Sequence, residues 1–292
     1  MYQIKKIVRD NVVFLALAFL PYISEPAIAN AQQNSSQAQS FLQPLSFGRG
    51  SLEPGNFTSD ILSKETYCEI MLSSWGWSSC EGIETVIVGY NGVVDTLIIE
   101  KPKSDGFVKF DDWDSSNKDA EIKKIEKELI LGLKAQAEAT GSNIKFGGWK
   151  VYPKLNKETN VMMYAVSVIW DGEESINIKA SKFDRRGYVV FRFVPIEANL
   201  NENELEKIVL DAMSNYKPYK TESYASFSSG DKVAAVGALG VLAGLVGVKY
   251  GKAAVGGFLA VALMFLKKGA VLLLLPLLWL GNLLIKVFRK NG

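Results

Sequence analysis

No histidine occurs anywhere in the 292 residues. Histidine is the side chain that ordinarily changes charge near neutrality, so the usual general base is missing. A Ser-His-Asp triad and every His-ligated metal site are excluded with it. Cysteine is nearly as scarce. Cys68 and Cys80 are the full complement, too few for a structural zinc. A third absence is local: from residue 232 to the end there are eight basic residues and no Asp or Glu. The formal charge of +2 therefore hides a segregation. Residues 32–231 hold 22 basic and 29 acidic side chains, a net charge of −7. An acidic middle argues against nucleic acid as a partner, which needs a basic footprint.

Long apolar runs are what the chain does have. Residues 233–248, 253–266 and 269–285 are separated only by small lysine clusters. So much continuous apolar chain predicts a membrane anchor of two or three helices over 232–292. Gly237, Gly240 and Gly244 recur at three- and four-residue steps. This is the spacing of a helix-packing face that lets another helix approach closely. At the other end, Lys5, Lys6 and Arg9 precede a short apolar stretch, the breaker Pro21 and small-residue cleavage sites around Ala29 and Ala31. That pattern predicts a secretory signal peptide over 1–31. Export and anchoring together imply a bacterial inner-membrane protein with its body on the periplasmic side.

Residues 32–44, rich in Gln, Ser and Asn, read as a flexible lead-in. The body is expected over 45–216. Cys68 and Cys80 flank Trp75-Gly76-Trp77. In an oxidising compartment two such cysteines pair, and closing this loop contributes on the order of 3 kcal/mol in the chain-entropy picture. β-branched runs over 83–90 and 93–100 surround Asn91-Gly92, a two-residue hairpin signal. A short strand follows over 106–110. Residues 118–140 have Ile122, Ile125, Leu129 and Leu133 on one helical face, with Gly141 as terminator. Further strands are expected over 144–152, 161–170, 173–183 and 188–194, with Asp171-Gly172 and the turn 184–187 between them. Val166, Val168 and Trp170 alternate with Ser167 and Ile169, as in a strand buried on both faces. In the next strand Ile176, Ile178 and Ala180 alternate with Asn177, Lys179 and Ser181, which predicts one wet face. A second amphipathic helix covers 201–216, and 217–231 reads as a juxtamembrane linker. The fold class is α+β: an antiparallel β-meander sheet packed by two amphipathic helices, followed by C-terminal transmembrane helices.

Two clusters suggest chemistry. Asp111, Asp112 and Asp114 are close enough in sequence to hold an oxygen-seeking cation such as Mg²⁺ or Ca²⁺. The plainer expectation is that acidic groups favour the positive end of the helix that follows, with Ser116 and Asp119 resembling a capping box. Arg185 and Arg186, paired donors at a turn, could bind an anion. No cofactor motif is present.

The chain resembles the predicted membrane-anchored bacterial proteins classed as domain of unknown function 2167. The residues that carry the likeness are Gly106-Phe107-Val108-Lys109-Phe110-Asp111-Asp112, Gly148-Trp149 and Arg185-Arg186-Gly187. Ser226-Phe227 and Gly230-Asp231-Lys232-Val233-Ala234-Ala235 complete the set. The resemblance implies a signal-bearing, membrane-anchored envelope domain and supplies no catalytic residue. Its expected partners are the lipid bilayer and another envelope protein or a second copy. The expected function is a non-enzymatic binding or assembly module. The alternatives are an enzyme using the Asp111–Asp114 carboxylates with a divalent cation, or an accessory subunit of a membrane complex.

Overall fold

The computed structural model describes residues 38–248, apart from 56–58, 75–78, 91–92 and 198. The expected signal peptide, Trp75 and Trp77, the Asn91-Gly92 turn and the two later apolar runs lie outside the described residues.

Eleven strands form among the described residues: β1 (Ala38–Ser40), β2 (Leu45–Phe47), β3 (Gly50–Leu52), β4 (Asp60–Leu62), β5 (Ile83–Val88), β6 (Val94–Glu100), β7 (Ile144–Asn156), β8 (Val161–Trp170), β9 (Glu173–Asp184), β10 (Gly187–Pro195) and β11 (Tyr216–Pro218). The α-helices are α1 (Lys64–Glu69), α2 (Lys118–Thr140), α3 (Glu202–Asn215) and α4 (Ala238–Val246). Eight strands make one antiparallel sheet in the order β1-β4-β5-β6-β10-β9-β8-β7, and β11-β3-β2 make a small second sheet. The class is α+β, but the large sheet is not one continuous meander. After β6, helix α2 carries the chain to the far edge. At 1.5 Å per residue its 23 residues reach about 35 Å. The β7–β10 meander then returns until β10 pairs with β6. The expected strand at 106–110 is reduced to an isolated bridge between Phe107 and Val233.

One face of the large sheet is apolar. Ile87, Leu97, Ile99, Met163, Ala165, Ile178, Ala180 and Phe191 pack there against Leu205, Ile208, Val209 and Ala212 of α3. Phe47 stacks on Tyr216 at 5.2 Å and meets Phe191 edge-on at 6.5 Å, which ties the small sheet to this core. The expected lead-in is partly structural: β1 pairs with β4, and Phe41 is buried in the same core.

The opposite face is covered in two parts. Cys68 and Cys80 form a disulfide, and Cys80 packs with Leu62, Tyr67, Met71, Val86 and Ile98 over the β5–β6 side. Helix α2 covers the β7 side with Ile122, Ile125, Leu129 and Leu133 buried as its periodicity requires. Gly141 ends it in the left-handed conformation at φ 71°. The N-cap is Asn117 without a side-chain cap bond, so Ser116 and Asp119 form no capping box there.

Two expectations fail on this face. Asn177, Lys179 and Ser181 are not wet; Lys179 is only 3% exposed. The run 233–248 is not a span either. It turns into α4, nine residues long with Leu239, Leu242 and Leu245 buried. That length is about 14 Å, against roughly 30 Å of hydrocarbon. No helix among the described residues is long and apolar enough to cross a membrane. The two failures have one cause, since part of the apolar run closes the face that the strand pattern left open.

Candidate functional site: a clamp for the segment ahead of the apolar tail

Residues 219–248 run back across the body as a strap. Tyr219 N donates to Arg49 O at 2.9 Å, and Arg185 N donates to Glu222 O at 2.9 Å. Phe107 N then donates to Lys232 O at 2.8 Å, and Ala234 N returns a bond to Phe107 O at 2.9 Å. The two segments touch backbone to backbone. Gly106, at φ +118°, has no room for a side chain, because a Cβ would lie 2.7 Å from Ala234 N. The strap's aromatics do not stand clear of the body. Phe227 stacks on Phe107 at 4.0 Å and Tyr224 on Phe110 at 4.8 Å, while Tyr224 OH donates to Val108 O at 2.7 Å. The expected juxtamembrane linker is therefore part of the folded body.

The turn 184–187 supplies the charges of the clamp. Arg185 grips Asp231 with two bonds, Nε to Oδ2 and Nη2 to Oδ1, both 2.7 Å. Such a two-pronged pair is the strong form of the guanidinium–carboxylate bond. Ser228 N also donates to Asp231, and Arg185 with this donor lowers the Asp231 carboxyl to about 2. Arg186 Nε donates to Glu222 Oε2 at 2.8 Å. The anions that Arg185 and Arg186 meet are thus carboxylates of the chain itself. Beneath them, Asp184 is fully buried and receives Arg49 Nε at 2.8 Å. Arg49 spends its other donors on Ser104 Oγ and Lys103 O, and Asp184 accepts from Arg186 N. A buried pair with every polar atom satisfied is costly to break, about 3–5 kcal/mol if one partner is removed.

The acidic cluster does not converge on one point. Asp112 Oδ1 and Oδ2 accept from Ala238 N at 2.9 Å and Leu239 N at 3.0 Å. They satisfy the first amides of α4, 126 residues away in sequence, and not those of the neighbouring α2. Burial pushes the Asp112 carboxyl above its ordinary range, against the pull of these two donors. Asp114 pairs with Lys157. Asp111 is exposed; burial, with Asp111 nearby, raises the Tyr224 phenol. No group of three or more carboxylates or thiols able to hold a metal exists among the described residues. The closeness of Asp111, Asp112 and Asp114 in sequence is lost because Asp112 turns to α4, Asp114 to Lys157 and Asp111 to solvent.

Glycine at 237 is required by this arrangement. A Cβ there would sit 2.4 Å from the Asp112 carboxylate. Gly240 and Gly244 lie differently: a Cβ at Gly240 would meet Val236, and one at Gly244 would meet nothing within 4 Å. Of the three expected helix-packing glycines, Gly244 alone faces open space.

The far end of α4 is held by two groups that the strand pattern did not single out. Leu245 O accepts from Tyr164 OH at 2.8 Å and from Lys179 Nζ at 2.6 Å. Both donors meet the negative end of the helix dipole. Burial, reinforced by nearby Arg192, pushes Lys179 well below the usual lysine range, with Glu100 opposing. Trp149 meets Tyr164 edge-on at 5.7 Å and donates to Glu126 of α2. A lysine at the centre of an otherwise apolar-flanked strand was the available signal for this contact.

Every motif singled out by resemblance thus meets the strap, α4 or a side chain that holds it. The model of a protein family of unknown function, DUF2167, matches residues 56–278. The chain belongs to that family. None of the curated proteins matches it. Among solved structures, the solution structure of cyanobacterial PsbP from Synechocystis sp. PCC 6803 is similar over 63% of this chain and 93% of that one. The identity is 9% and the TM-score 0.31, so the likeness is slight. DUF2167 motif residues are, in this chain, contact residues of a clamp.

Proposed function

We propose that this DUF2167 chain is a membrane-tethered, periplasm-facing module that binds or assembles with another envelope component and performs no chemistry of its own. The observation that carries the reading is the clamp. Gly106, Asp112, Arg185, Asp231 and Gly237 are committed to fixing the segment that leads into the apolar tail. The body and the segment that leads toward the tail are thereby one folded piece. The tail at 253–285 is nearly free of charge apart from Lys267 and Lys268, and such composition favours a bilayer. The basic residues Lys286, Arg289 and Lys290 after it favour the cytoplasmic side.

Two measurements on cells making the full chain test this reading. A reporter fused after Gly292 is expected to be active on the cytoplasmic side. A thiol placed by Leu210→Cys, on the outside of α3, is expected to react with a membrane-impermeant reagent once the outer membrane is opened. Reversed results in both would overturn the topology. Crosslinking in intact cells followed by mass spectrometry is expected to return one recurrent envelope partner or a second copy of the chain. Only random neighbours at the level of an unrelated tethered domain would overturn the assembly role.

A further inference from the structure

The outward face of α2 is charged and apolar at once. Ile122, Ile125, Leu129 and Leu133 are buried against the sheet. On the opposite side, Lys123, Lys127, Ile130, Leu131 and Lys134 fall within a roughly 100° arc at 100° per residue. All five are exposed; Ile130 is 42% and Leu131 50% accessible. Two neighbouring apolar side chains framed by three lysines are unusual for a purely solvated helix face. Glu138 shares the arc one turn beyond Lys134; exposed Asp119, beside Lys118, and Lys124, paired with Glu121, border its two edges, and Glu128 lies further round. The arc itself is net positive.

The place where the described chain ends gives this face a partner. Leu245 O is bonded to Tyr164, Tyr164 packs on Trp149, and Trp149 donates to Glu126, one helical turn before Ile130. The end of α4 thus lies beside the middle of α2, on the same face of the sheet. The apolar run begins at residue 253, five steps after Val248. Five extended residues reach at most roughly 17 Å. A bilayer entered at the start of that run would lie within this reach of the end of α4.

We propose that the Lys123–Lys134 face of α2 rests on the anionic lipid surface of the membrane that the tail enters, with Ile130 and Leu131 dipping among the headgroups. This inference rests on the membrane-anchored reading above. Basic side chains near an anionic surface are attracted within a Debye length, and neighbouring apolar groups add interfacial burial. The contact sets how the body is oriented on the bilayer, with the α3 face turned away.

The full chain reconstituted into phosphatidylglycerol/phosphatidylethanolamine vesicles provides the test. A fluorophore on Leu131→Cys is compared with one on Leu210→Cys, using quenching by lipids nitroxide-labelled near the headgroup. Strong quenching at position 131 and little at 210 is expected. Replacing Lys123, Lys127 and Lys134 with Gln, or moving to phosphatidylcholine vesicles, is expected to reduce quenching at 131 to the level at 210. Equal quenching at the two positions from the outset, in protein that floats with the vesicles after carbonate washing, would overturn the lipid contact and leave the anchor intact. Protein that fails to float would overturn both readings. A label on Ile130→Cys must repeat the result at 131; disagreement between the two also counts against the contact.

Discussion

The two faces of the eight-stranded sheet are closed by different means. Under α3 the buried core is apolar, with Lys154 pairing Glu202 and Glu206 only at its rim, and the covering helix is amphipathic in the ordinary way. Under α2 and α4 the sheet presents Tyr164, Lys179, Arg192, Glu100 and Asn177, all buried or nearly so. Glu100 binds Arg192, and Lys179 reaches the end of α4. An apolar face accepts any well-packed apolar lid. A polar face accepts only a lid that satisfies its donors and acceptors. The α3 face therefore supplies unspecific stability, while on the α4 face Tyr164 and Lys179 favour a lid that brings them a carbonyl, as Leu245 does.

Truncation on the apolar face should give the largest effect. Phe191→Ala removes a fully buried ring and is expected to cost about 3–5 kcal/mol. The loss should be read as a lower urea midpoint of the whole body in detergent, independent of pH. Gly237→Val should act locally. Its Cβ meets Asp112, so α4 is pushed from its seat at a cost of about 1–3 kcal/mol. The expected readout is new proteolytic cleavage within 219–248 while the sheet stays protected; global unfolding in step with the cleavage would erase the distinction between the faces. Asp112→Ala removes the side-chain acceptor of two α4 amides, of which Ala238 N keeps Lys109 O, and should cost about 0.5–2 kcal/mol, again with cleavage confined to the strap.

The smallest effect is expected from Asp231→Asn, and it sharpens the contrast through pH. The folded Asp231 carboxyl is held at about 2, below the roughly 3.9 of an unfolded aspartate. A depressed carboxyl stabilises the fold above the unfolded value and loses that contribution as pH falls through the folded one. The gap in urea midpoint between the natural chain and Asp231→Asn should therefore hold from about pH 7 to 5 and close as pH falls toward about 2. A gap that persists at pH 2 would mean that the Arg185 pair is not its source. The Phe191→Ala loss should show no such closing.

Much of the body was legible from local pattern. Helix α2, its glycine stop, strand β8 and the hairpin turn at Asp171-Gly172 follow from periodicity and turn chemistry. The disulfide was expected because the chain has only two cysteines and its N-terminal pattern reads as an export signal. The clamp was half legible: its residues were marked as an ordered set, but their partners were not. Asp112 looked like a ligand or a cap for α2 because sequence shows only the nearest helix. Arg185 and Arg186 looked like donors awaiting an anion because Asp231 and Glu222 lie 36 to 46 residues away.

Periodicity and composition by themselves determined the α+β class, strands β5–β10, helices α2 and α3, and the apolar character of the C-terminal end. Those properties depend on neighbours a few residues apart. Only the tertiary structure decided that β10 returns to β6, that residues 219–248 fold onto the body, and that Lys179 is dry. Each of these depends on which distant segment can satisfy a buried donor or acceptor. An apolar run reads the same whether lipid or protein covers it, until a carbonyl at its end is found bonded to a lysine on a strand.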